Sequence, residues 1–239
     1  PLSIVLSLSD KIDYLTSLWK IGIRPTGNKD PFALRRAALG IIRIILENKL
    51  DIDLDYLIDL TEVNFDKTDL QQFLRERIAY YLTEKNYQKN VVKAVVKQYD
   101  LDFLSILPRV IAEITEFISS EAGTSALAVY KRVSNFLSSN KESLSFNKKN
   151  SEELATKEDQ LVQAQLTVTK VQVEESLQTK DFKTALNVLG PMLYSVNQFL
   201  DNVQVNCEDI ELRSLRYALL NEIRQTMDRV LVFSELEKK

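Results

Sequence analysis

"KIGIRPTGNKDPFALRRAALGIIRII" (residues 20–45) decides between two classes of fold. As a phosphate loop it would open a nucleotide-binding α/β domain; as a turn followed by a helix it belongs to an α-helical protein. A P-loop requires GxxxxGK[ST] after a strand, but here Gly22 and Gly27 are followed by Asn28 and no β-branched run precedes them. The triplet "NKD" has the letters of a guanine-specificity motif, with no phosphate loop to accompany it. The helix reading remains: Asp30 as N-cap, Pro31 at the first helical position, and Leu34, Ala38, Ile41, Ile42 and Ile45 as one apolar stripe. On another face Arg36, Gly40 and Arg43 come together. A glycine between two arginines admits a close neighbour, either another helix or a nucleic-acid phosphate.

The rest of the chain repeats this helical pattern. Five glycines and five prolines in 239 residues, with apolar residues recurring at i, i+3, i+4 and i+7, predict an all-α protein. Helices are expected near 8–21, 31–48, 68–85, 88–98, 101–120, 123–139, 151–178, 181–201 and 209–232. Hydrophobic content of 45% can fill a real core. The polar stretch "SSNKESLSFNKKNSEELATKED" (138–159) is the best internal loop, and a domain boundary is expected earlier, near Leu104–Pro108. Trp19, Phe32, Phe73 and Phe117 fall on apolar stripes and are expected in the core. The segment "PLSIVLSLSD" lacks a basic n-region and a cleavage site, and no run reaches the ~18 apolar residues of a membrane span. A chain starting at Pro1 is expected to be the C-terminal piece of a longer, cytoplasmic or organellar protein.

Several chemistries are excluded by residue type. There is no histidine, so Ser/His and Cys/His nucleophilic pairs and HExxH metal sites cannot be assembled. The single cysteine, Cys207, has no intrachain disulfide partner. Asp51, Asp53, Asp55, Asp59 and Glu62 match ligand positions of an EF-hand loop, yet Tyr56 stands where the sharp turn needs glycine. The period-2 aspartates read more simply as a solvated connection leading into a short helix. Net charge is only −3, so a polyanionic partner must be held by local patches. Such patches exist: residues 20–43 and 71–98 are basic, and the acid-rich stretch 47–69 separates them.

The run "PTGNKDPFALRRAALGIIRII" resembles the β subunit of bacterial-type glycyl-tRNA synthetase, a family with a nearly identical segment just after an HD-like domain. "FLRERIAYYLTEKNYQKNVVKAVV" (73–96) is similar to a helix pair of the same family. "YKRVSNFL" (130–137) and "NVQVNCEDIELRSLRYALLNEIR" (202–224) resemble the DALR-type anticodon-binding domain shared with arginyl- and cysteinyl-tRNA synthetases. The signature here reads Asp209, Ile210, Glu211, Leu212, Arg213, one position longer and with Ile for Ala. The resemblance implies that 1–28 is the tail of an HD-like domain, 29–104 a helical middle domain and 105–239 a DALR-like bundle. Asp10 in "LSDKIDYL" would be the last aspartate of the HD-like domain, without the histidines that a phosphohydrolase site requires. The resemblance further implies that ATP, glycine and Mg belong to a separate α subunit. No cofactor, metal or catalytic residue is expected on this chain.

The partners implied are tRNA-Gly and the α subunit, with neither DNA nor membrane. Binding folded RNA needs cations for phosphates and planar groups for unpaired bases. The residues expected to provide them are Arg35, Arg36, Arg43, Arg75 and Arg77 in the first half, and Tyr130, Lys131, Arg132, Asn135, Arg213, Arg216 and Arg224 in the second. On helix 209–232 the buried stripe is expected to be Leu212, Leu215, Leu219, Ile223 and Val230, with Arg213, Arg216 and Arg224 beside it. The competing expectation for these arginines is surface pairing with Glu208, Glu211 or Glu222. For the whole chain the alternative is a helical module that assembles α and β subunits without touching the anticodon.

Overall fold

The computed structural model describes residues 2–61, 65–139 and 156–236. Among them the regular elements are helices: α1 (Leu2–Lys20), α2 (Leu34–Glu47), α3 (Leu54–Asp59), α4 (Thr68–Glu84), α5 (Lys89–Gln98), a 3₁₀ turn (Leu101–Ile106), α6 (Leu107–Ile118), α7 (Glu121–Ser138), α8 (Lys157–Gln178), α9 (Phe182–Asn187), α10 (Leu189–Asn202), α11 (Ile210–Val230) and α12 (Phe233–Leu236). One isolated bridge, Thr26–Lys29, lies outside them. The chain divides into two compact units, Pro1–Ala112 and Glu113–Lys239. Most of the expected 138–159 loop falls outside the described residues, as does Glu62.

In the first unit α1 packs on α2 and α3, and α2 on α4 and the 3₁₀ turn, while α5 lies against α4. The expected stripe of α2 is fully buried, as are Trp19, Leu70 and Ile78. Trp19 sits 4.9 Å from Phe73, its Nε1 donates to Asp69 Oδ2 at 3.1 Å, and the Arg24 guanidinium covers it at 4.2 Å. Helix α2 begins three residues later than the Asp30–Pro31 reading predicts. Ala33, at φ 55°, turns the chain, and Asp30 caps from outside, accepting from Leu34 N at 2.8 Å and Arg35 N at 3.0 Å. Phe32 is consequently not core but 44% exposed, its carbonyl accepting from Tyr14 Oη at 2.8 Å. The period-2 aspartates go to separate tasks. Asp53 caps α3 through Tyr56 N, Asp55 accepts from Gln71, and Asp59 pairs with Lys67.

The second unit is built on four helices in which α7 and α8 each pack against both α10 and α11. Short α9 lies against α8, α10 and α11. The expected 181–201 helix is broken at Val188 into α9 and α10, and α11 stops at Val230, where Leu231 turns extended. Tyr130, Leu166, Phe182, Met192, Phe199, Tyr217, Ile223 and Met227 fill the interior. A shared device closes helices in both units. After α1, α2, α4 and α8 a residue in the left-handed region (Gly22, Lys49, Asn86, Lys180) lets two amides bond back to the last turn.

Candidate nucleic-acid interface

The twelve residues expected to meet RNA fall into three groups in the structure. The first is turned inward. Arg216 is 4% exposed, not beside the stripe of α11 but in it. Its Nε donates to Asp159 Oδ1 at 3.0 Å, its Nη2 to Asp159 Oδ2 at 2.9 Å and its Nη1 to the Gln204 carbonyl at 2.9 Å. The carboxylate bonds to the guanidinium hold Arg216 protonated still more firmly than usual. Asp159 is 0% exposed and is also the acidic member of a capping box with Thr156 that starts α8. Residues 216, 220, 223, 227 and 230 therefore form the seam of α11, and Leu212 and Leu215 are only half-buried. Tyr130, expected to stack on a base, is instead buried at 4%, with its ring 5.4 Å from Phe233 and its hydroxyl donating to Asp228 Oδ2 at 3.3 Å. Burial beside that carboxylate pushes its pKa up to about 12.

The second group is engaged with the protein itself, mostly at loops and helix ends. Arg35 Nη2 donates to the Gly27 carbonyl at 2.6 Å. Arg75 closes the C-terminus of α5, donating to the carbonyls of Val96 and Tyr99 at 3.0 and 2.7 Å and to Asp100 at 2.8 Å. Arg77 lies 5.8 Å from the rings of both Phe73 and Tyr80. Arg132 bonds Asn197 at 3.1 Å and Asp201 at 2.7 Å on α10. Arg213 donates to the Cys207 carbonyl at 3.2 Å, while Asp209 Oδ1 caps α11 through Glu211 N and Leu212 N. The ends of the Asp209–Arg213 signature thus fix the start of α11 and the loop before it. Surface pairing of Arg213, Arg216 and Arg224 with Glu208, Glu211 or Glu222 does not occur, and Glu222 pairs with Lys170.

The third group faces solvent. Lys131 and Asn135 are exposed on α7, between Tyr130, which points to α11, and Arg132, which reaches α10. Arg224 is half-exposed and bonds only its own helix, at Asn221 Oδ1, 3.1 Å away. By helical period Arg213 and Arg224 lie on the flank of α11 that carries Asp228 toward α7. Arg36 and Arg43 are exposed on α2, Arg43 reaching Glu47 at 3.4 Å. The surface candidates are thus Lys131, Asn135 and Arg224 in the second unit, with half-exposed Arg213 beside Arg224 though tied to the Cys207 carbonyl, and Arg36 and Arg43 in the first. Asp159 was missed in the sequence although "TKED" (156–159) carries a capping-box signal.

Among the described residues no helix is long and apolar enough to cross a membrane. A family profile described as "Glycyl-tRNA synthetase beta subunit" matches residues 1–97, and one described as "DALR anticodon binding domain" matches 126–233. The chain is 32% identical to the glycine–tRNA ligase beta subunit of Ruegeria sp. (strain TM1040), 34% to that of Rhodospirillum centenum and 35% to that of Janthinobacterium sp. (strain Marseille), each over 99% of its length. It spans 34–35% of those relatives. The inward Arg216, the Asp209 cap and the α7–α11 packing occupy the segment matched by the DALR profile, and the chain belongs to the glycyl-tRNA synthetase β-subunit family.

Proposed function

We propose that the second unit binds tRNA-Gly, anticodon included, through the outer surface of α7 and the adjoining flank of α11, and presents it to an α subunit that performs ATP-dependent aminoacylation with glycine and Mg. What supports this reading is the exposure of Lys131 and Asn135 on α7, together with the half-exposed Arg213 and Arg224 on the flank of α11 that by helical period carries Asp228 to Tyr130 of α7, within the DALR-matched bundle. Lysine and arginine would neutralise phosphates. Asn135, able to donate and accept, would read a base edge or a 2′-hydroxyl. The buried Arg216–Asp159 pair acts at one remove, holding the α8 start and the 203–209 loop in place. Residues 1–28, in this reading, close an HD-like domain, and 29–104 form a helical middle domain.

The test is tRNA-Gly binding by the chain carrying Lys131→Gln and Arg224→Gln. Each lost contact should weaken binding by about 1 kcal/mol, and the slope of log affinity against log salt should fall by ~0.9 per cation. Parent-like affinity and slope in a normally folded double variant would remove this surface from consideration.

A second reading, a subunit-assembly module, is favoured by an apolar stripe on α8. Leu161, Val168 and Val171, spaced as in a heptad seam, are 49%, 53% and 55% exposed. Charged substitutions there should abolish association with the α subunit at any salt concentration and leave tRNA binding intact.

A further inference from the structure

We infer that Lys11, Arg36 and Arg43, with Ser7, form a phosphate-binding cluster on α1 and α2 that grips an RNA backbone. The inference rests on the reading that this chain binds tRNA and adds a contact in the first unit. It starts at Gly40. A Cβ built there would meet only the Lys11 side chain, Cε at 2.9 Å and Cδ at 3.1 Å. The glycine therefore makes room for a lysine stem, not for a helix backbone. Arg36 and Arg43 stand at i−4 and i+3 from Gly40, the spacings that put side chains on one helix face. The stem of Lys11 thus crosses α2 between two arginines.

Charge balance points the same way. Lys11 Nζ donates to Ser7 Oγ at 3.0 Å and pairs with no carboxylate among the described residues. Arg36 is exposed and has no protein partner there. Arg43, 62% exposed, reaches Glu47 only through Nε at 3.4 Å, and that same carboxylate oxygen also accepts from Tyr81 Oη at 3.3 Å. Three cations are thus gathered against one shared carboxylate, around a mid-helix glycine that alanine would improve on helix propensity alone. Packing of the Lys11 stem accounts for the glycine but not for why a lysine is brought between two arginines with so little opposing charge. A bridging phosphate would balance that charge, accepting from two guanidinium groups, an ammonium and the Ser7 hydroxyl. The arginines lie open to solvent on a helix face, which suits a polymer backbone; small phosphorylated ligands are held in concave pockets.

The test uses the whole chain, with tRNA-Gly, an unrelated RNA hairpin and inorganic phosphate as separate probes. Replacing Arg36→Gln and Arg43→Gln together should lower the salt slope by about 1.5–2 for both RNAs alike and weaken both about tenfold near 0.1 M salt. Gly40→Ala, which displaces Lys11, should weaken RNA binding about threefold with a thermal midpoint no lower than the parent's. Parent-like affinity and slope in the Arg36/Arg43 variant overturn the cluster; if Lys131→Gln/Arg224→Gln still weakens tRNA in the same assay, the bundle reading survives. A parent that binds phosphate but neither RNA overturns both assignments and makes the cluster a small-ligand site. A parent that binds no probe overturns both as well.

Discussion

Helices α2 and α11 present the same letters to a reader of the sequence, arginines spaced along a helix beside an apolar stripe, and the fold treats them oppositely. On α2, Arg36 and Arg43 stay outside and the stripe Leu34, Ala38, Ile41, Ile42, Ile45 is buried as its spacing predicts. On α11 Arg216 goes inside, because Asp159, 57 residues earlier in the chain, arrives there and accepts from it through both carboxylate oxygens, while Oδ2 also accepts from the Thr156 amide and hydroxyl. Buried charge is tolerated only when paired. An arginine's place is therefore a property of its partner as much as of its own helix.

The sharpest way to break this comparison is Arg216→Ala. It leaves Asp159 buried without its counter-ion and should destabilise the second unit by about 3–5 kcal/mol, read by urea or thermal unfolding. Arg36→Ala should leave the midpoint within about 0.5 kcal/mol of the parent's stability. Equal effects at the two sites would refute the contrast between the helices.

Glycines offer the next test. A Cβ at Gly123 would lie 2.0 Å from the Phe117 carbonyl oxygen, a backbone atom that cannot step aside, and Gly123 N donates to the Ser120 cap. Gly123→Ala should cost at least the ~1–3 kcal/mol of overpacking. A Gly123→Ala variant as stable as the parent would contradict the geometry of the α6–α7 turn.

A smaller effect, of opposite sign, is expected at Lys180, whose φ of 55° holds a side-chain-bearing residue in the left-handed region after α8. Lys180→Gly should raise stability by roughly 0.5–1 kcal/mol in denaturant titrations. A loss of stability would mean that the lysine side chain is held by something stronger than the backbone strain.

The smallest change separates buried Tyr130 from a free phenol. Its pKa is raised from 10.0 to about 12, so its contribution to stability is intact below about pH 10 and is lost as pH rises from there toward 12. Tyr130→Phe removes that group, and its alkaline unfolding curve should be flatter over this window. Identical pH profiles for the two proteins would show that the hydroxyl ionises as freely folded as unfolded.

Local signals located most of the helices, since a 3.6-residue stripe can be buried in only one way and needs no knowledge of the partner. They erred where a turn is made by something other than a helix cap. Asp30 caps α2 across a left-handed Ala33, which displaced the expected start and sent Phe32 outward. Residues 181–201 read as one helix, yet the chain is divided at Val188 so that Phe182 and Phe199 can both reach the interior.

The sequence by itself determined the helical class, the stripe of α2, the absence of histidine chemistry and the family, because each depends on residue type or on near-neighbour spacing. Only the tertiary structure decided which cations are available. Arg75 serves the end of α5, Arg132 bridges to α10, Arg216 is locked on Asp159, and Tyr130 stacks on Phe233 in the core. Each of those partners lies more than twenty residues away in the chain. A charged or planar side chain gains more from a desolvated partner than its own helical period can reveal, and the fold alone brings such partners together.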